Sequence, residues 1–344
     1  MKKIRIGVIG AGRWGPNLIR NFHMNLSSEV VAVADQNESR LKLIEERYAD
    51  IATTKSVDVI LSDPLIDAIV VCTPTASHFE LAQAALANKK HVFVEKPLAR
   101  TNEECAALVK LSNKEKRVLF VGHVFVYNAG IQAVRRYIEA GELGKIHYIQ
   151  VARTNLGPVR TDVNSLWDLG SHDLSILQYW LGTMPHAVSA VGGRFLSKTI
   201  EDVVFATYQF PNNVLANLHV SWLNPKKVRE IVIVGEKKML TWDDMDLNSP
   251  IRIYDKKVTL DQGDKTLVDT FMSFHANIYE GDTLIPKIQL NEPLLAECNA
   301  FLQAIKQPST SLSTGEHGMQ VVQALTATDE SLRDQGREVK IQYL

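Results

Sequence analysis

"VIGAGRWGPN", residues 8–17, carries three glycines at positions 10, 12 and 15. The spacing G-x-G-x-x-G arises by chance in many chains, so its flanks decide what it means. Upstream, Ile4, Ile6, Val8 and Ile9 read as a buried strand of a parallel sheet. Downstream, Leu18, Ile19 and Phe22 fall at helical spacing. Gly10, Gly12 and Gly15 therefore sit in a strand-to-helix turn. There the first glycine permits the bend, the second lets backbone approach a pyrophosphate, and the third lets helix and strand pack closely. The helix N-terminus adds unpaired N–H groups and a favourable dipole. Arg13 and Trp14 lie inside the same turn and are candidate cofactor contacts. A second strand, "EVVAVAD", ends in Asp35, 20 residues past Gly15. An acid at that distance accepts hydrogen bonds from ribose hydroxyls and repels a 2′-phosphate, which predicts NAD over NADP. Arg40, five residues on, works against that preference.

The chain has 344 residues, 45% hydrophobic and 22% charged, enough for about two domains with their own cores. Its formal net charge of −1 favours neither nucleic acid nor an acidic membrane as partner. Lys2 and Lys3 before an apolar run resemble a signal peptide, but Arg13 interrupts that run and the run belongs to the glycine turn. No stretch approaches the roughly 18 uninterrupted apolar residues of a membrane span. Cys72, Cys105 and Cys298 have neither zinc spacing nor a disulfide framework, which fits a reducing cytoplasm.

Strand patterns at 3–9, 29–34, 68–72, 91–94 and 118–121 alternate with helical patterns near 13–26, 38–48, 76–88 and 102–114. That rhythm predicts a doubly wound parallel sheet with its ligand at the carboxyl ends of the strands. After residue 122 the rhythm changes. A helix, a strand around 146–154 and a helix over 165–181 precede strand-like runs at 186–194, 202–210, 214–222, 228–234, 238–242 and 251–254. Successive strands without intervening helices predict a large, mostly antiparallel sheet. Helices near 293–306 and 316–333 close the chain. The expected fold is thus α/β: a Rossmann domain over 1–121 and an α+β domain over 122–344.

Two further stretches carry candidate chemistry. In "VFVEKPLA" (92–99), Glu95 and Lys96 follow an apolar strand and so lie at the ligand-binding edge. Pro97 disfavours the helical region at Lys96 and keeps it extended. In a closed cleft such a lysine has a lowered pKa and can serve as proton donor or oxyanion stabiliser; in the open it would be an ordinary solvated side chain. In "NSLWDLGSHDLSIL" (164–177), Asp168 and His172 are four apart and share a helix face. A carboxylate there can orient the imidazole, leaving its other nitrogen as a general base. Equally, Ser165 could cap the helix with Asp168 as its partner, a purely structural arrangement. No cluster has metal-ligand spacing.

Glycine turn, "EKP" at 95–97 and the D-x-x-x-H of Asp168 and His172 together resemble the Gfo/Idh/MocA oxidoreductase family, over essentially the whole chain. The resemblance implies that Lys96, Asp168 and His172 meet beside the nicotinamide. It implies further dinucleotide contacts in "CTPTASH" (72–78), from Thr73, Pro74 and His78, and a C-terminal sheet that supports a homo-oligomer. One departure is "HVFVYNAG" (123–130), which lacks the arginine of the family's commoner version, so no substrate contact is assigned there. "NLGPVRTDVNSLWDLGSHDLSI" and "EPLLAECNAFLQAI" look like the branch acting on nucleotide-linked sugars, including enzymes that oxidise the 3-hydroxyl of UDP-N-acetylglucosaminuronate. For such a substrate Arg153, Asn155 and Arg160 beside the catalytic helix, and Lys226 with Lys227 and Arg229 at a strand end, are candidate anion contacts. Free-sugar or inositol dehydrogenases, NAD-dependent glycosidases and non-catalytic regulators share the fold and remain alternatives.

Overall fold

Six short strands form the first sheet: β1 (Ile4–Ile9), β2 (Ser28–Ala34), β3 (Ala52–Thr54), β4 (Ala68–Val71), β5 (His91–Glu95) and β6 (Leu119–Gly122). In the computed structural model, which describes residues 3–260, 276–308 and 311–344, they are all parallel, in the order β3-β2-β1-β4-β5-β6. The order reverses between β1 and β4, and ligands bind at such a switch point. Helices α1 (Gly15–His23), α2 (Glu38–Arg47), α3 (Val57–Ser62), α4 (His78–Ala87) and α5 (Asn102–Glu115) connect the strands. Thr101 caps α5 by accepting the Glu104 N–H at 3.2 Å. Neither β3 nor α3 was expected from sequence, since three and six residues hold too little periodicity to read.

The second sheet is β14-β13-β12-β11-β7-β10-β9-β8-β15. Its members are β7 (Ile146–Leu156), β8 (Ala187–Gly193), β9 (Val203–Phe210), β10 (Val214–Ser221), β11 (Leu223–Gly235), β12 (Met239–Asp243), β13 (Ile251–Leu260), β14 (Ala276–Leu284) and β15 (Val339–Lys340). All its pairings are antiparallel except β7 with β10. Period-two alternation gives the sheet two faces. Ile149, Val151, Ala206, Tyr208, Ala216 and Leu218 are buried beneath α6 (Ala129–Glu139), α7 (Ser171–Leu181) and α9 (Gly315–Arg333). Tyr148, Val191, Phe205 and Leu215 point the other way and are exposed. Among the described residues no helix is long and apolar enough to cross a membrane.

The remaining helix is α8 (Pro293–Lys306). It follows the second sheet in sequence but packs on the first. Leu294, Cys298, Phe301 and Leu302 share a core with Phe22, Phe93 and Phe120. The Phe301 ring lies 5.6 Å from Phe93 and 5.5 Å from Phe120, both edge-on. Burying one such phenylalanine contributes about 1.5–3 kcal/mol, ample reason for the chain to return. Residues from both sides of 121/122 share this core.

Candidate active site

Backbone shape makes the dinucleotide cradle. Gly10 has φ +102°, and a Cβ there would lie 2.7 Å from the Cys72 carbonyl oxygen. A Cβ on Gly15 would run into the carbonyl oxygen of Gly10. At Gly12 the nearest atom is the Arg40 guanidinium at 3.6 Å, so a ligand backbone has room to pass. Trp14 caps α1 without a side-chain hydrogen bond; Pro16 has no N–H and the Asn17 N–H donates to the Trp14 carbonyl at 3.0 Å, so the Gly15 N–H is the donor that the start of the helix offers a phosphate. These features fit a dinucleotide. Asp35 accepts the Ala11 N–H at 2.7 Å and the Asn37 N–H at 2.8 Å, and Arg40 Nη1 stands 3.5 Å away. Asp35 thus braces the glycine turn. Asp35→Ala is expected to weaken NAD binding by about tenfold or more, since two hydrogen bonds to a charged acceptor go with it. Arg40→Ala should lower NADP affinity and spare NAD. Fluorescence titration of both variants with both cofactors checks this; unchanged NAD affinity in Asp35→Ala would remove Asp35 from the site.

Thr73 and Pro74 follow β4 beside Gly10, with Thr73 Cγ2 at 3.0 Å from where a Gly10 Cβ would sit. His78, expected among the cofactor contacts, is 1% exposed. Its Nδ1 lies 2.8 Å from the Pro97 carbonyl oxygen and its Nε2 2.9 Å from that of Thr73. It ties the turn after β4 to the turn after β5. Both ring nitrogens thus meet protein carbonyls, and Lys96 directly precedes Pro97.

Lys96 donates to the Asp168 carbonyl oxygen at 2.6 Å, and its Nζ is 3.6 Å from that residue's carboxylate. Burial lowers the Lys96 pKa, while Asp168 and Glu95 oppose the shift. Burial also pushes Glu95 up to about 7, against the pull of Lys96. The Lys96 backbone N–H and the Trp14 side chain also favour the Glu95 carboxylate.

Asp168 does not orient His172. Its carboxylate accepts from Arg160 Nη1 at 3.3 Å and from Trp222 Nε1 at 3.2 Å, besides facing Lys96. Two cations and an indole N–H outcompete a neutral imidazole for a carboxylate. A π-helical turn over Leu166–Gly170 separates Asp168 from α7, with the Ser171 N–H reaching the Leu166 carbonyl. The capping alternative also fails. Ser165 Oγ is buried without a protein partner, and Asn164 Oδ1 instead accepts the Trp167 N–H at 3.0 Å.

His172 stands at the start of α7, partly exposed, with Nδ1 buried and meeting no protein partner. The Phe125 ring packs edge-on against it at 4.9 Å. Burial, then the positive charges of Lys96 and Arg153, hold its pKa well below the ordinary imidazole value. His172 is therefore neutral and able to accept a proton.

The expected anion contacts divide. Arg160 reaches the site through Asp168 while also pairing with Asp162. Arg229 sits 5.5 Å over the Phe125 ring and is held by Asp244 at 2.7 Å. Arg153 is committed elsewhere: it is 3% exposed, and its Nε and Nη2 donate to Asp173 at 2.8 and 2.7 Å. Two of its three guanidinium nitrogens are thus taken by one carboxylate oxygen. Asn155, near the end of β7, donates to the Gly157 carbonyl, and Lys226 is exposed where β11 bulges away from β7. Among the described residues no His, Cys, Asp and Glu group could hold a metal ion.

Residues 4–123 match the Gfo/Idh/MocA oxidoreductase family, NAD-binding Rossmann fold, and residues 131–241 match the Gfo/Idh/MocA C-terminal domain. The chain belongs to that family. A UDP-N-acetylglucosamine 3-dehydrogenase from Acidithiobacillus ferrooxidans is 29% identical over 264 residues, spanning 74% of this chain and 78% of that protein. A myo-inositol 2-dehydrogenase from Thermotoga maritima is 24% identical over 98% of this chain and 99% of its own length. The WlbA dehydrogenase from Bordetella pertussis, solved with NADH and UDP-GlcNAcA, superimposes with a TM-score of 0.80 at 22% identity, over 99% of each chain. The protein is accordingly a Gfo/Idh/MocA oxidoreductase whose first domain binds NAD. Phe125, Trp222 and Asp173 were missed from sequence. Phe125 carried a signal, as one of two aromatics, with Tyr127, in the 123–130 segment that lacks the family's arginine.

Proposed function

We propose that this family member exchanges a hydride between NAD and a ring hydroxyl, at C3, of a nucleotide-linked sugar. The observation that carries the chemistry is the meeting of Lys96, Asp168 and Arg160 beside a neutral His172, next to the cradle. NAD, when bound, supplies the hydride acceptor. His172 takes the hydroxyl proton, and the Lys96 ammonium steadies the alkoxide as it forms. Asp168 keeps Lys96 charged and holds Arg160 at the mouth of the site.

The nucleotide-linked substrate is supported by the names of two similar proteins and by Arg160 and Arg229 at the rim. A diphosphate bound there supplies binding energy that orients the sugar. UDP-N-acetylglucosamine or its uronate should outperform the matching free sugars in kcat/KM by orders of magnitude, and Arg160→Ala should erase about tenfold of that advantage. Steady-state kinetics on matched pairs decides it. Equal kcat/KM for both classes, or faster oxidation of myo-inositol, moves the reading to a free-sugar or inositol dehydrogenase.

A second copy of the chain is the expected partner for the open face of the second sheet. Tyr148, Val191, Phe205 and Leu215 make that face unusually apolar for solvent. Phe205→Lys is expected to reduce the assembled mass seen by sedimentation, and an unchanged mass would free that face of the role. Three buried free thiols, Cys72, Cys105 and Cys298, are consistent with work in the reducing cytoplasm.

A further inference from the structure

Lys96 and Asp168 meet although they lie 72 positions apart, one directly after β5 and the other in the π-helical turn before α7. Such turns are rare and cluster at functional sites. This one is held from outside by Asp329 on α9. One carboxylate oxygen accepts the Trp167 indole Nε1–H at 2.6 Å, and the other accepts the Asn164 Nδ2–H at 3.0 Å. Asn164 Oδ1 in turn accepts the Trp167 backbone N–H at 3.0 Å, and the Asn164 carbonyl accepts the Asp168 N–H at 3.1 Å. One carboxylate thus grips both ends of the run 164–167 that leads into Asp168.

The other end of α9 is fastened to the first sheet. Just before the helix, the Ser313 carbonyl accepts the Val121 N–H of β6 at 3.0 Å, and Thr314, the N-cap, forms a single β-bridge with Phe120. β6 pairs with β5, Glu95 opposite Gly122, and Lys96 follows at once. Asp329 stands about four turns along α9, roughly 22 Å from that attachment. The helix therefore spans from the strand beside Lys96 to the turn that carries Asp168.

We propose that Asp329 is the positioning residue for the Lys96–Asp168 pair, tying the π-helical turn, through Trp167 and Asn164, to a helix anchored next to β5. The proposal rests on the reading that Lys96 steadies the alkoxide. Without the tie the turn shifts, and the ammonium loses the Asp168 carbonyl now at 2.6 Å and the carboxylate now at 3.6 Å. Burial lowers the Lys96 pKa; Asp168 and Glu95 oppose that shift, and Arg160 and Arg153 add to it. Asp162, Asp173, His78, His123 and His172 complete its charged and titratable surroundings. Moving Asp168 away therefore lowers the Lys96 pKa further.

Asp329→Asn keeps the shape and one acceptor oxygen, but sets an amide N–H against either the indole or the Asn164 donor. Asn164 cannot turn its own oxygen over without giving up the Trp167 N–H. Trp167→Phe removes the indole donor from the other side. The test uses the NAD-loaded enzyme and whichever of UDP-N-acetylglucosamine, its uronate, glucose or myo-inositol the wild type oxidises fastest. Each variant should lower kcat by roughly 10- to 100-fold, the scale on which an ångström of misplacement acts. NAD affinity should stay near wild type, and the alkaline limb of kcat/KM should move down in both. The double variant should lose little more than either single one, because both interrupt the same bond. A crystal of Asp329→Asn should show the Lys96–Asp168 contacts lengthened. Wild-type kcat with an unmoved alkaline limb in both variants, whatever their stability to urea, overturns the role, as do losses that simply multiply in the double variant. Should Asp329→Asn not fold, Trp167→Phe alone carries the same kinetic and crystal readouts. Lys96→Ala keeps the two readings apart. Full activity there defeats Lys96 as the stabilising cation, whereas an inactive Lys96→Ala beside fully active Asp329 and Trp167 variants defeats the positioning role alone.

Discussion

Lys96→Ala and His172→Ala should each lower turnover by about 100-fold or more, with NAD binding close to wild type. Neither side chain belongs to the phosphate cradle, and both are asked to manage one hydroxyl proton. The pH profile of kcat/KM gives a sharper signature. His172 works as the neutral base, so activity is present above its folded pKa. Because that pKa lies well below 6.5, the acid limb should fall below the usual histidine range. Lys96 works as the cation, so activity is present below its folded pKa. Burial lowers that pKa from 10.5, so the alkaline limb should come earlier than for a free lysine. Asp168 raises the Lys96 pKa, and Asp168→Asn should therefore shift the alkaline limb further down while leaving the acid limb in place. A profile with one inflection near 6.5, or an acid limb that moves in Asp168→Asn, would contradict the geometry and restore an Asp168–His172 pair.

The second large effect concerns stability. Asp173→Ala should cost about 3–5 kcal/mol, because it leaves the buried guanidinium of Arg153 without its counter-charge. Asp173 is 0% exposed and receives two donors from Arg153, while the guanidinium lies 4.4 Å over the Phe125 ring. Replacing both partners should be far milder than removing one. Arg153→Met with Asp173→Leu is expected to recover most of the loss, since apolar side chains of similar volume satisfy the same space without charge to desolvate. Urea unfolding of the three variants measures this. If Asp173→Ala unfolds within about 1 kcal/mol of wild type, Arg153 has found water and is not the buried strut described above.

Some of the site could be read before any coordinates. Gly10, Gly12 and Gly15 followed a strand and opened a helix, as β1 and α1 turned out to do. Lys96 and His172 were recognisable because each stands at the end or start of a strongly patterned element. Their neighbours were not. Arg153 was expected to meet a substrate phosphate, yet Asp173, on the helix packed across β7, holds it first. Asp168 and His172 have helical spacing, but Arg160 and Trp222, distant in sequence or fixed by a loop, compete successfully for the carboxylate.

What the sequence determined by itself is what depends on neighbours along the chain: the β–α rhythm of the first domain, the glycine turn, the strand run of the second and the caps of helices such as α5. Hydrogen-bonded periodicity and left-handed backbone are local, so a few residues suffice to encode them. Only the tertiary structure decided which charges are desolvated together and which cores are shared. It brought α8 back onto Phe93 and Phe120, buried His123 and Asp173, and gave Asp168 to Lys96. The energy of a charge depends on every dipole and cation within several ångströms of it, whatever their separation in sequence. That sum exists only once the chain has folded.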